Sequence, residues 1–387
     1  MKKFNLSASS CVDEASRRSG YIGSRATKTF LRTLAAFLAV APSIAFTHGP
    51  DQAPHRIAEL GEFQLEGGAV ISNLRMSYVT HGTLNEARDN AILVMHGFAN
   101  NHHNADHLIG PGKAFDTDKY FVIVSDSLGS TQTGFDHSTS ATSSGLKLDF
   151  PRYNGRDMVN AEHRLVTAGL GIDHLVAVAG ISMGGYKTLQ FAVSHPDFMD
   201  AAIPIVGSGL WSSMGFLSDI LLRSAIENCA GWEDGDYDEN PRNCAAAALT
   251  GIIPQFYTRD WWDENAASEE AFKAWHGRWW DTYLGLQDAR DLYLMWTAPR
   301  EVADTPGFKG DLAAALGAIR AKVLFIMNPH DQFVSAELIE QQDAMIRGSR
   351  IASIDRNTGH LICCGEDTVA TQMMTTEIST FLDSLGR

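Results

Sequence analysis

Five near-continuous apolar runs punctuate the chain beyond residue 57: "AILVMHG" (91–97), "YFVIVSD" (120–126), "LVAVAG" (175–180), "AAIPIVG" (201–207) and "KVLFIMN" (322–328). A strand with one wet face alternates polar and apolar residues, whereas an unbroken run implies burial on both faces. The runs therefore predict a mostly parallel central sheet with flanking crossover helices. "GRDMVNAEHRLVTAGLG" (155–171) has apolar positions at helical spacing and closes on glycine, as a crossover helix should. Between the runs at 201–207 and 322–328 the character changes. All eight tryptophans, Trp211 to Trp296, fall there, together with the loop-like "EDGDYDENPRN". Tryptophan offers a large apolar area with one polar handle, which suits a cover over a cavity. The pattern thus divides the chain into a first core part (46–207), an inserted helical cap or lid (208–305) and a second core part (306–387).

Residues 1–45 do not fit this scheme. Seven basic and two acidic side chains precede the short apolar segment "TLAAFLAVAPSIAF", which ends in the small-residue pattern Ser43-Ile44-Ala45. That order predicts a signal peptide cleaved near Ala45, and with it a periplasmic or secreted protein. No apolar run reaches the roughly 20 residues that a membrane-spanning helix needs. The chain carries a formal charge of −15, and its remainder beyond residue 45 is more acidic still. Nucleic acid and anionic membrane surfaces are therefore excluded as partners on electrostatic grounds. Four of the five cysteines lie beyond the leader: Cys229, Cys244, Cys363 and Cys364. A Cys229–Cys244 bridge would close a short loop, while the neighbours Cys363 and Cys364 are expected to be unpaired thiols.

The chemistry concentrates at "LVAVAGISMGGYKTLQFAVSHP" (175–196). Gly180-Ile181-Ser182-Met183-Gly184 fits G-x-S-x-G, with a buried strand before it and a helix after it. Such a turn is too sharp for side chains at the glycine positions, and it exposes the serine Oγ at a helix N-terminus, where negative charge is favoured. A serine hydroxyl needs a base to take its proton. "KVLFIMNPHDQFVS" supplies Asp331 just past a strand, and "RIASIDRNTGHLICC" supplies His360 after a turn. The order Ser182, Asp331, His360 is that expected of a nucleophile, an orienting acid and a general base; Asp343 and Asp355 are the competing acids. The oxyanion donors are expected to be the backbone N–H groups of Met183, next to the nucleophile, and Phe98, in "LVMHGFANN". His103 and His107 flank Asp106 at a spacing that could suggest zinc, but no third ligand is apparent. No metal and no cofactor are expected, because serine–histidine chemistry needs neither.

These residues and their surroundings resemble the homoserine O-acetyltransferase-like branch of the α/β-hydrolase fold, over most of residues 57–385. "LIGPGKAFDTDKYFVIVSDSLG" (108–129), "FPRYNGRDMVNAEHRLVTAGLGI", "GISMGGYKTLQFAVSHPD" and "RSAIENCAGWEDGDY" (223–237) carry the likeness. The resemblance implies an α/β-hydrolase fold, a triad of Ser182, Asp331 and His360, a lid arginine at Arg223 for substrate binding, and a homodimer through the cap. Two stretches depart from the family's transferases: "DSLGSTQTGFDHST" where they have Asn-Leu-Gly…Gly-Ser-Thr-Gly-Pro, and "NCAAAALTGII" where an Ala-Arg pair is usual. A missing arginine weakens recognition of an amino-acid carboxylate. Export would also separate the protein from acetyl-CoA, a cytoplasmic donor. The sequence is therefore read as an exported serine hydrolase that cleaves an ester, thioester or similar acyl bond of a small-molecule substrate. Homoserine-type acyl transfer is the alternative. A non-catalytic binding protein is the third reading, disfavoured because no triad member is missing.

Overall fold

The computed structural model describes residues 52–133 and 137–386. Among the described residues eight strands form the main sheet, beside a small hairpin of Phe63–Gln64 and Val70–Ile71: Arg56–Glu59 (β1), Arg75–His81 (β2), Ala91–Met95 (β3), Phe121–Ser125 (β4), Leu175–Ile181 (β5), Met199–Ile205 (β6), Lys322–Met327 (β7) and Arg350–Ser353 (β8). The eight pair in the order β1-β2-β4-β3-β5-β6-β7-β8. β2 is antiparallel to β1 and β4, and every other pairing in this sheet is parallel.

Why the central runs read as unbroken is visible in β3 and β5. Leu93, Met95 and Val178 pack on one face with Met158, Leu189 and Ile339, which belong to helices Gly155–Arg164 (α1), Met183–Ser194 (α2) and a later helix. Ile92, Val94, Ala177 and Ala179 pack on the other with Met374, Ile378 and Phe381. Successive residues point to opposite faces, so both parities must be apolar. α1 begins where expected. Asn154 accepts from the N–H groups of Arg156 and Asp157 while the Asp157 side chain reaches back to the Asn154 N–H, a reciprocal cap that satisfies the helix's free donors.

Five α-helices lie within the insertion at residues 208–305: Ser213–Glu227 (α3), Arg242–Ile252 (α4), Arg259–Asn265 (α5), Glu269–Thr282 (α6) and Ala289–Thr297 (α7). They share a core of Leu222, Ile226, Trp232, Leu249, Leu292 and Trp296, and this core also takes in Ala99 and Leu361 from loops of the sheet. A disulfide joins Cys229 to Cys244, and Cys363 and Cys364 are free thiols. Core and insertion fall in one compact unit. Helices Leu312–Gly317 (α8), Ala336–Asp343 (α9) and Thr368–Asp383 (α10) complete the fold; α9 carries Ile339 and α10 covers the second face. The predicted leader, residues 1–45, lies outside the described residues.

Candidate active site

The carboxyl ends of the parallel strands carry the chemistry, as in other open α/β sheets. β5 ends at Ile181 and α2 starts at Met183, leaving Ser182 as the single hinge residue, at φ 54° and ψ −112°. A left-handed φ in a residue with a Cβ costs on the order of 1–3 kcal/mol and persists only where the surroundings over-determine it. Here they do: the Ser182 N–H donates to the Ile205 carbonyl at 2.8 Å, and its own carbonyl accepts from Gly185 at 2.8 Å. A Cβ on Gly180 would lie 2.2 Å from the Gly184 carbonyl oxygen, and one on Gly184 would lie 2.1 Å from that of Met95. Both glycines are required by backbone contact alone.

His360 and Asp331 arrive on the turns after β8 and β7. Asn328 ties the two turns together, its Nδ2 donating to the carbonyls of Arg356 and Gly359 at 2.8 and 2.9 Å. Asp331 Oδ1 accepts the N–H groups of Phe333 and Val334 at 2.8 and 2.9 Å. Its Oδ2 lies 2.7 Å from His360 Nδ1, and His360 Nε2 lies 2.9 Å from Ser182 Oγ. Since the carboxylate can only accept, Nδ1 carries the proton and Nε2 presents its lone pair to the hydroxyl. The imidazole is 2% exposed, with the rings of Phe256 and Phe333 at centroid distances of 5.2 and 5.3 Å. The insertion holds it directly: the His360 N–H donates to the Phe256 carbonyl at 2.8 Å.

The loop after β3 is fixed at every residue. His96 Nε2 accepts the Ser127 N–H at 3.0 Å, and its Nδ1 lies 2.6 Å from the Gly97 carbonyl. The Gly97 N–H donates to Asn104 Oδ1 at 2.9 Å, and Tyr283 of the insertion donates to the Phe98 carbonyl at 2.9 Å. Gln287 donates to the carbonyl of Ala99, itself left-handed at φ 54°. Burial, with the Lys187 ammonium nearby, holds the His96 ring neutral by lowering its pKa to about 3. Lys187 in turn pairs with Glu162 at 2.7 Å, both wholly buried. The Met183 N–H, first in its helix, has no intrahelical partner.

Two cavities meet at Ser182. The inner one, about 80 Å³, is lined by Met183, Tyr186, Trp211, Trp296 and Arg300 among others. The outer one, about 790 Å³, is bordered by His360, Trp261, Arg278, Trp279 and Tyr283. Phe98 lines both.

The alpha/beta hydrolase fold family matches residues 90–341. A homoserine O-acetyltransferase of Symbiobacterium thermophilum is 32% identical over 320 residues, covering 74% of this chain and 82% of that protein. This chain belongs to the α/β-hydrolase fold family, in its homoserine O-acetyltransferase-like branch. A homoserine O-acetyltransferase of Deferribacter desulfuricans is 36% identical over 245 residues, a match that spans 59% of this chain and only 62% of that relative. Among solved structures, an acetylester hydrolase from Corynebacterium glutamicum superposes with a TM-score of 0.77 at 28% identity, covering 85% of this chain and 96% of its own.

Within this α/β-hydrolase chain, Ser182, Asp331 and His360 come together in one hydrogen-bonded line, and Phe98 and Met183 lie beside the serine. Asp355 instead meets His330 at the surface at 2.9 Å, and Asp343 ends α9. Arg223 requires correction. It lines neither cavity and lies exposed on α3, 3.8 Å from Asp219. α3 buries Gly215, Ser218, Leu222 and Ile226, and Arg223, one residue past Leu222, is turned about 100° from that face. The arginine inside the inner cavity is Arg300, which the sequence reading missed; its only signal was a cation between an apolar helix end and the core. His103 pairs with Asp106 at 2.9 Å, and no group of three or more ligating side chains is found among the described residues. The reading of the protein as periplasmic or secreted is overturned by the relatives, which are named homoserine O-acetyltransferases; the segment that suggested export lies outside the described residues. The same relatives favour the transferase alternative over the hydrolase reading.

Proposed function

We propose that the protein transfers a short acyl group to a hydroxyl acceptor of the homoserine type through an acyl-enzyme on Ser182. As Ser182 Oγ bonds to the acyl carbon of the donor, His360 Nε2 takes the hydroxyl proton and Asp331 stabilises the resulting imidazolium. The carbonyl oxygen, now negative, lies against the N–H groups of Met183 and Phe98; each such donor is worth about 10²–10³ in rate. Collapse breaks the bond to the leaving group, which departs with the proton from His360. The acceptor hydroxyl then gives its proton to the same nitrogen and attacks the acyl carbon, and the bond to Ser182 Oγ breaks as Oγ takes that proton back from His360. The insertion acts as a lid, contributing Trp211, Trp296 and Tyr283 around the serine. The observation that carries the chemistry is the Ser182–His360–Asp331 line at 2.9 and 2.7 Å. Transfer over hydrolysis rests on the Symbiobacterium relative.

The likeness to an acetylester hydrolase favours a second reading, in which water takes the acceptor's place. Incubation with acetyl-CoA, with and without homoserine, separates the two by product analysis. The proposal expects O-acetylhomoserine in an amount that tracks consumed donor, abolished in Ser182→Ala. Free acetate as the main product with homoserine present would establish the hydrolase instead.

A further inference from the structure

Arg300 follows α7 and is 6% exposed at the wall of the inner cavity that Ser182 also lines. Its guanidinium lies over Trp211 at 4.9 Å and Trp296 at 5.7 Å, and Nη2 donates to the Trp296 carbonyl at 2.5 Å. Nε is buried with no hydrogen-bond partner. Among the described residues no carboxylate lies within ion-pair distance of it; the acid whose field reaches it, Asp219, is itself beside Arg223 at 3.8 Å. The two phenols nearby, Tyr153 and Tyr186, are kept neutral because burial raises both. Burial lowers Arg300 to about 10, so it remains a cation at neutral pH.

A desolvated cation without a counter-charge is unfavourable, and stacking on indoles offsets only part of that. An anion entering the cavity would meet Arg300, the one cation among the described residues of its lining, set in an otherwise largely apolar wall. The guanidinium's planar fork matches a carboxylate better than any point charge does. The cavity's volume is about 80 Å³, about a tenth of the neighbouring cavity's 790 Å³.

We propose that Arg300 is a specificity-determining residue that binds the carboxylate of the short substrate group held in the inner cavity. Two sources share this chemistry: the acceptor, as an amino acid bearing a hydroxyl, or the acyl group, as the half-ester of a small dicarboxylic acid. The inference rests on the acyl-transfer reading for its catalytic arm, and its binding arm is independent of it.

In the binding arm, succinate and homoserine are titrated calorimetrically into wild type, Arg300→Met and Arg300→Lys. Wild type should bind at least one of them about 10- to 100-fold more tightly than Arg300→Met, with Arg300→Lys between the two. In the catalytic arm, kcat/KM is compared for mono-p-nitrophenyl succinate against p-nitrophenyl acetate, and for homoserine against 3-amino-1-propanol as acceptors. Arg300→Met should lower the carboxylate-to-neutral ratio through KM, about 10- to 100-fold for the pair that contains the true carboxylate. A fall in the first ratio assigns the anion to the acyl group, and a fall in the second assigns it to the acceptor. Parallel losses with unchanged ratios, or equal binding of both anions by wild type and Arg300→Met, would overturn the proposal. Wild type inactive on every substrate, yet binding a carboxylate through Arg300, would sink the acyl-transfer reading alone.

Discussion

At position 96 the fold keeps an imidazole neutral down to about pH 3, where in solvent it would protonate below about pH 6.5. His96 supports the loop that carries Phe98, and its lowered pKa of about 3 has a thermodynamic consequence. Below about pH 6.5 the unfolded chain takes a proton at this histidine that the native chain refuses. The stability that depends on His96 is therefore complete above about pH 6.5 and is lost progressively as the pH falls toward 3. Urea midpoints of wild type and His96→Asn, measured between about pH 4 and pH 7, should show a shallower acid slope in the variant, by up to about 1.4 kcal/mol per pH unit. Identical slopes would mean that the ring titrates normally. Single residues also mark where the sequence was readable. Ser182 announced itself because a hinge this tight demands glycine on both sides, and composition records that demand directly. Arg223 misled because resemblance fixes a position along a helix, whereas the direction of a side chain depends on which stripe the helix buries.

Elements were legible in proportion to their burial. β3 to β7 are covered on both faces, so their unbroken apolar runs located them within a residue or two. β1 and β2 were hidden: "RIAE" is a short edge strand of four residues, and "RMSYVTH" mixes polar and apolar positions although Met76 to Val79 are all buried. The cap was visible as a tryptophan cluster, but its inward contacts were not. Tyr283 and Gln287 meet the loop after β3 across more than 180 positions, a contact that no local pattern encodes. The disulfide from the end of α3 to the start of α4 belongs to this scale. With a sequence separation of 15 it should stabilise the insertion by about 3 kcal/mol through the unfolded chain. Denaturation of oxidised and reduced protein should differ by that amount, and the Cys229→Ala/Cys244→Ala double variant should match the reduced form and ignore reductant. An unchanged midpoint on reduction would show the bridge to be energetically silent.

Across the whole molecule, three loops at the carboxyl ends of β5, β7 and β8 bring together residues 178 positions apart, and the insertion closes over them with the His360 N–H on the Phe256 carbonyl. The parallel sheet makes this convergence geometric, since each strand delivers its following turn to the same edge. Two cavities of about 80 and 790 Å³ adjoin Ser182, the smaller lined by Arg300. On the proposed reading this arrangement passes through one covalent intermediate on Ser182, whatever the acceptor. Intact-protein mass spectrometry after brief mixing with acetyl-CoA tests this most directly. The predicted result is a single added acetyl group that maps to Ser182, is absent in Ser182→Ala and disappears on adding homoserine as O-acetylhomoserine forms. Product formation at the wild-type rate by Ser182→Ala, or an acetyl group that maps elsewhere and turns over, would contradict it.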